Sequence, residues 1–138
     1  MGNSQSSPNI NYEDVQIALK TPSYVLISTL SQNEQNCLIF NTIPALKEET
    51  LLNEKLKNSN SREKIIIYGK NWDDPSVGRK FNQCSSLGFD TYIYKGGIFE
   101  WLLLQDVYGS DEFPTNGKEN DLLKYKPISK FNTYFLTN

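Results

Sequence analysis

The sequence predicts an α/β protein, a three-layer α/β/α sandwich around a central, mainly parallel sheet. Three observations lead there. The β-branched run Ile65, Ile66, Ile67, Tyr68 ends in a glycine-led polar loop, and a helical pattern follows it. A further strand pattern at 91–94 comes next, then Gly96-Gly97 and an apolar helix. Residues 24–28 (YVLIS) are a continuous apolar run of the kind that sheets bury on both faces. A strand-helix-strand-helix order places its two strands parallel and side by side, joined by a right-handed crossover.

In chain order, residues 1–10 read as a disordered polar N-terminus, 11–126 as one domain and 127–138 as a C-terminal tail. Residues 11–20 fit a short helix. Val15, Ala18 and Leu19 recur at helical spacing, and Asn11 is a suitable cap. Thr21-Pro22-Ser23 ends it. After the strand at 24–28, residues 31–36 read as a polar loop and 37–40 (CLIF) as a brief strand. A second helix is expected over 45–57, with Leu46, Leu52 and Leu56 among its apolar positions. Its Glu48 and Glu49 fall early, where the helix dipole favours them. Glu54, Lys55 and Lys57 extend its charged face at pairing distances. The helix through Trp101 continues to Asp106, with Gly109 available to close it. Residues 110–118 are turn-rich, and 119–125 fit a short helix. Phe131, Tyr134, Phe135 and Leu136 give the tail an apolar character suited to docking on its own domain or on a partner.

Composition narrows function mostly by exclusion. The 138 residues suffice for one domain with a real core. A mean hydropathy of -0.53 and no long apolar run argue against a membrane span. The first twenty residues lack the apolar stretch of a secretory signal. A net charge of -2 with mixed signs gives no nucleic-acid footprint. With no histidine, Ser-His-Asp and Cys-His catalysis and the commonest metal ligand are absent. The two cysteines, Cys37 and Cys84, form no metal-binding or redox motif, and neither metal nor cofactor is expected. They read as reduced thiols of an intracellular protein.

Met1-Gly2-Asn3-Ser4-Gln5-Ser6 fits the N-myristoylation pattern, with Gly2 as acceptor. One acyl chain binds a membrane only marginally. No Lys or Arg precedes Lys20, and no nearby cysteine offers a second anchor. Reversible contact with a membrane face is the expectation.

The loop 69–74 (Gly69, Lys70, Asn71, Trp72, Asp73, Asp74) stands where an α/β protein places its chemistry. Asp74 precedes Pro75, which makes Asp74 the helix cap and Pro75 the first helical residue. Asp74 would then occupy the amides that should hold an anion. Gly69 would permit a left-handed turn where strand becomes loop. Trp72 at the loop tip either folds back onto the domain or meets a partner. Val77, Phe81 and Cys84 recur at i, i+4 and i+7, which puts Cys84 on the buried face of the following helix.

The order of elements, Leu87-Gly88-Phe89 and the closing Gly96-Gly97-Ile98-Phe99-Glu100-Trp101 together resemble the rhodanese-like domain family over residues 11–105. The wording FEWLLLQDVYG, EFPT and DLLKYKP is similar to rhodanese-like proteins of large DNA viruses of eukaryotes. Active members of that family end the equivalent strand in a cysteine, whose thiolate carries a persulfide in a cradle of backbone amides. Here that position is Gly69. The resemblance also implies an acidic residue at Ser28 and an arginine at Leu30, and both are missing. It therefore implies a catalytically inactive binding or structural module, membrane-anchored or virion-associated. Protein partners would be met through the Trp72 loop or the tail, and nucleic acid would not be bound. The alternative is a sulfurtransferase using a displaced cysteine, Cys84.

Overall fold

The computed structural model describes residues 7–58 and 63–131. Twelve elements follow one another in this part of the chain. They are β1 (Asn9–Ile10), α1 (Tyr12–Leu19), β2 (Tyr24–Ser28), a 3-10 turn (Gln32–Glu34), β3 (Leu38–Ile39), β4 (Thr42–Ile43), α2 (Ala45–Lys57), β5 (Lys64–Tyr68), α3 (Pro75–Ser86), β6 (Asp90–Tyr94), α4 (Gly97–Tyr108) and β7 (Thr115–Asn116). Five strands form one parallel sheet in the order β1-β6-β5-β2-β4. The protein is a mixed α/β fold, its mainly parallel sheet covered by helices on both faces.

Side-chain alternation along the central strands decides which helix covers which face. Val25, Ile27, Ile65 and Ile67 pack with Leu52 of α2 and with Val77 and Cys84 of α3. Leu26, Ile66, Tyr68 and Tyr94 point the other way, onto Val15 and Ala18 of α1 and Ile98, Trp101 and Leu102 of α4. Both faces of β2 and β5 are thus dry, which is why these strands read as unbroken apolar runs rather than as alternation. Trp101 is fully buried between Tyr94 and Phe113, and its indole N–H donates to the Pro114 carbonyl at 3.0 Å.

Local chemistry sets the helix ends. Asn11 and Asp14 exchange side-chain and backbone hydrogen bonds at 3.1 Å, a reciprocal capping box for α1. Gly109 closes α4 with φ 99.

Several expectations need correction. Order begins before residue 11: Asn9 and Ile10 pair with Ile93 and Tyr94, covering an otherwise open sheet edge. The strand expected at 37–40 contracts to β3 and leaves the main sheet. It pairs antiparallel with β7, a two-residue strand that no local pattern announces. The edge strand beside β2 is instead β4, just after the turn at Asn41, a non-glycine residue with φ 67. The 31–36 loop contains a 3-10 turn. The helix expected at 119–125 is a pair of turns closed by i to i+3 bonds (Lys124 N–H to Asp121 O, Lys126 N–H to Leu123 O). Of the three leucines named among the apolar positions of α2, only Leu52 is buried; Leu46 and Leu56 are exposed. In the tail, Ile128 and Phe131 are exposed. Tyr134, Phe135, Leu136 and Gly2 lie outside the described residues.

Candidate functional site

The loop 69–74 leaves the carboxyl end of β5, at the centre of the sheet. Gly69 follows Tyr68 into a buried position. Tyr68 is itself fixed: its hydroxyl accepts from the Ile39 N–H at 3.1 Å and lies 2.7 Å from Thr42 Oγ1. Complete burial raises its pKa well above the ordinary tyrosine range, so it stays neutral and structural.

Asp74 governs the loop. Its Oδ2 accepts from the Lys70 N–H at 2.9 Å. Its Oδ1 accepts from the Ser76 N–H at 3.0 Å and the Ser76 hydroxyl at 2.6 Å. The carboxylate therefore caps α3 and sits inside the ring of amides that an external anion would need. Burial opposes its ionisation. The hydrogen bonds from Lys70 and Ser76, with the Lys70 charge, outweigh burial and hold its pKa below the ordinary carboxylate value. Lys70 is not free to attract an anion either, since its ammonium pairs with Glu34 at 3.0 Å. That contact, with hydrogen bonds from Ser31, lowers the Glu34 pKa.

Gly69 is glycine for space, not for handedness. Its φ is not positive, in contrast to Gly88, Gly97, Gly109 and Gly117. A β-carbon there would stand 2.5 Å from Asp74 Oδ2, 2.6 Å from Val77 Cγ2 and 2.8 Å from Thr29 Oγ1. All three contacts are closer than side-chain carbons tolerate. The carbonyls of the loop are also taken. Gly69 O and Lys70 O accept from the Ile98 and Phe99 N–H groups at 3.0 and 2.9 Å, so the amino end of α4 clamps the loop rather than a ligand.

The protein-family models contain no match to this chain, and no curated protein matches it. Solved structures do match, and they share its fold. The Alr3790 protein from Anabaena sp. superposes with a TM-score of 0.56 at 18% identity, covering 91% of this chain and 91% of its own. The BH2092 protein from Bacillus halodurans gives 0.52 at 21% identity, covering 93% and 88%. A protein from Lactobacillus plantarum gives 0.53 at 18% identity, covering 70% and 83%. At these identities the likeness concerns the fold alone.

The remaining loop residues divide by role. Asn71 is buried and structural: its amide donates to the Tyr125 carbonyl at 2.8 Å, and its oxygen accepts from the Asp73 N–H at 2.7 Å. Trp72 leans on Phe99, ring centroids 5.8 Å apart, yet 57% of it stays exposed. It folds back onto the domain only in part, through the contact with Phe99. Asp73 is exposed beside it. Ser28 is buried, and its hydroxyl accepts from Gln35 Nε2 at 3.4 Å. Leu30 belongs to the apolar core.

Cys84 is fully buried between α3 and the sheet, and Cys37 is buried next to β3. Burial raises both thiol pKa values, which disfavours the nucleophilic thiolate. Neither thiol reaches the loop. Among the described residues no group of three or more His, Cys, Asp or Glu side chains converges as a metal site. Thr29, Ser76 and Tyr125 were missed as loop-shaping residues. Only Ser76 carried a signal, its place two residues after an Asp-Pro cap.

Proposed function

We propose that this chain is a catalytically inactive rhodanese-like module that acts by binding, inside the cell. Sulfur transfer in that family needs a thiolate at the end of the central strand and open amides around it. The observation that carries the proposal is the Asp74 carboxylate, bonded to the Lys70 and Ser76 amides directly in front of a glycine. The family's cradle is filled from within, and its nucleophile position has no room for a side chain. What remains accessible at the loop is the face of Trp72, a residue type well suited to anchoring a protein partner. Ile128 and Phe131 extend the exposed apolar surface of the C-terminal segment. The pattern at Gly2 supports reversible attachment to a membrane face or incorporation into a virion.

The test is a thiosulfate:cyanide sulfurtransferase assay on the purified full chain. No turnover above buffer is expected. Turnover abolished by Cys84→Ser would establish the displaced-cysteine enzyme instead, a reading that complete burial of Cys84 disfavours.

A further inference from the structure

A groove of about 440 Å³ separates α1 from the turn that follows α4. It is lined by Glu13, Ile17, Lys20, Phe40, Asp111 and Glu112, among others. Its walls are tied together, since the Gln16 amide on α1 donates to the Glu112 carbonyl at 2.9 Å. Ile17 and Phe40 are large, apolar and exposed within it. One such residue at a surface is ordinary, whereas two that share a concave wall mark a contact surface.

The rim of the groove is acidic. The side chains of Glu13, Asp111 and Glu112 form no ion pair or hydrogen bond among the described residues. Three carboxylates against the single Lys20 ammonium leave two negative charges in excess, which equals the net charge of -2 of the whole chain. The remainder of the chain is balanced, so this groove is a local source of negative field. An occupant of complementary chemistry carries cations beside apolar side chains.

Residues 126–138 have that composition. Lys126 and Lys130 are their only charged side chains, interspersed with Ile128, Phe131, Tyr134, Phe135 and Leu136. Ile128 and Phe131 are 79% and 80% exposed, and no described residue of the segment lines the groove of its own chain. The root of the segment lies at the other end of the sheet. The Tyr125 carbonyl is held by Asn71, beyond the carboxyl end of β5. α1 runs back between parallel strands, so Ile17 and Lys20 stand toward their amino ends. Strands such as β5, with 5 residues, set the two ends about 17 Å apart. The same groove on a second molecule receives the segment without turning it back across its own domain.

We propose that residues 126–138 of one copy dock in the α1 groove of a second copy. Lys126 and Lys130 meet the carboxylates of Glu13, Asp111 and Glu112, and Ile128 and Phe131 cover Ile17 and Phe40. The contact joins unlike surfaces, so it closes as a reciprocal pair or as a ring. It rests on the proposed function only in taking this segment as a contact surface. It requires neither the absence of sulfur transfer nor the face at Trp72, so the sulfurtransferase assay and the experiment below fail separately.

The experiment is sedimentation velocity of the full chain over about a hundredfold range of concentration. The average mass should rise with concentration and fall as salt is raised. Two double variants reverse the charges, Lys126→Glu with Lys130→Glu on the segment and Asp111→Lys with Glu112→Lys on the groove. All four positions are exposed, so the fold should tolerate the changes. Each double variant alone should associate about tenfold more weakly while its amide spectrum stays native. An equimolar mixture of the two should regain association, because each segment then meets a groove of opposite charge. Three results would overturn the proposal. They are a monomer at every concentration, which includes a segment lying in its own groove; a natively folded double variant that associates as tightly as the parent; and a mixture of natively folded variants no stronger than its components.

Discussion

Asp74 and Gly69 compete for one small volume: Asp74 Oδ2 lies 2.5 Å from the point where a β-carbon on Gly69 would stand. The helix cap and an empty side-chain position are thus a single arrangement, and neither can change alone. Placing a side chain at this position should therefore be costly. Gly69→Cys overpacks the loop and should lower stability by about 1–3 kcal/mol. Adding Asp74→Ser keeps a capping hydroxyl and removes the conflicting oxygen, so part of the loss should return. Val77 and Thr29 still crowd the site, so recovery should be incomplete. Urea unfolding of the two single variants and the double variant reads the coupling. Strictly additive effects would show that the two positions do not compete.

The same carboxylate makes stability depend on pH. Its folded pKa is depressed below the ordinary 3.8, so the ionised form favours the native state. That contribution is complete above the unfolded value and fades as pH falls through the lower folded value. Asp74→Asn turns an acceptor into a donor that faces the Lys70 or Ser76 amide. At neutral pH it should cost about 1 kcal/mol, at the modest end because the group is partly exposed. The gap between the two proteins should shrink below about pH 4. A gap that is constant from neutral to acid pH would remove the charge from the explanation.

The parts of this architecture that follow local rules were readable in the sequence. The unbroken apolar strands, the Asn11 and Asp74 caps, Pro75 at the first helical position and the buried phase of Cys84 each depend on residues within a turn or two. What escaped depends on distant partners. β1 and β7 have two residues each and exist because β6 and β3 present open edges to them. Asn71 is held by the carbonyl of Tyr125, 54 positions away. The reason for Gly69 also escaped, because glycine at a strand end suggests a left-handed turn while the crowding comes from Thr29, Asp74 and Val77.

Gly97 is where the loop and α4 touch. Its φ is 68, and a β-carbon there would meet Gly69 O at 2.6 Å and Asn71 N at 2.9 Å. These obstacles are backbone atoms, which cannot rotate away. Gly97→Ala should lose roughly 1–3 kcal/mol from the strained conformation alone, with overlap adding to it. Gly78 lies on α3 with open space around it, and Gly78→Ala should be neutral or slightly stabilising, by up to about 1 kcal/mol. Thermal unfolding of the pair distinguishes a clamp from a general need for glycine. Equal effects would show that the approach of α4 is loose.

Both thiols should be slow to react in the folded chain. Cys37 and Cys84 are buried, and burial raises their pKa values. Alkylation by iodoacetamide at pH 7 should label neither appreciably until denaturant is added, and then both quickly. The labelled residue is read by peptide mass. Rapid native labelling of Cys84 would reopen the case for a nucleophile on α3.

Trp72 and Trp101 are the two tryptophans of the chain, and their surroundings differ enough to be told apart by light. Trp101 is fully buried, whereas Trp72 keeps 57% of its surface exposed and rests one side on Phe99. The Trp72→Phe variant should emit at shorter wavelength than the parent and resist acrylamide quenching, because only the buried indole remains. Trp72→Ala should change stability by only about 0.5–1 kcal/mol, the worth of one aromatic contact at the surface. A small stability change combined with strong quenching of the Trp72 emission is the signature of a side chain held out for contact. Emission from Trp72 that is already blue-shifted and unquenched would mean that the ring is covered by its own chain. The proposed partner face would then have to be sought away from this loop.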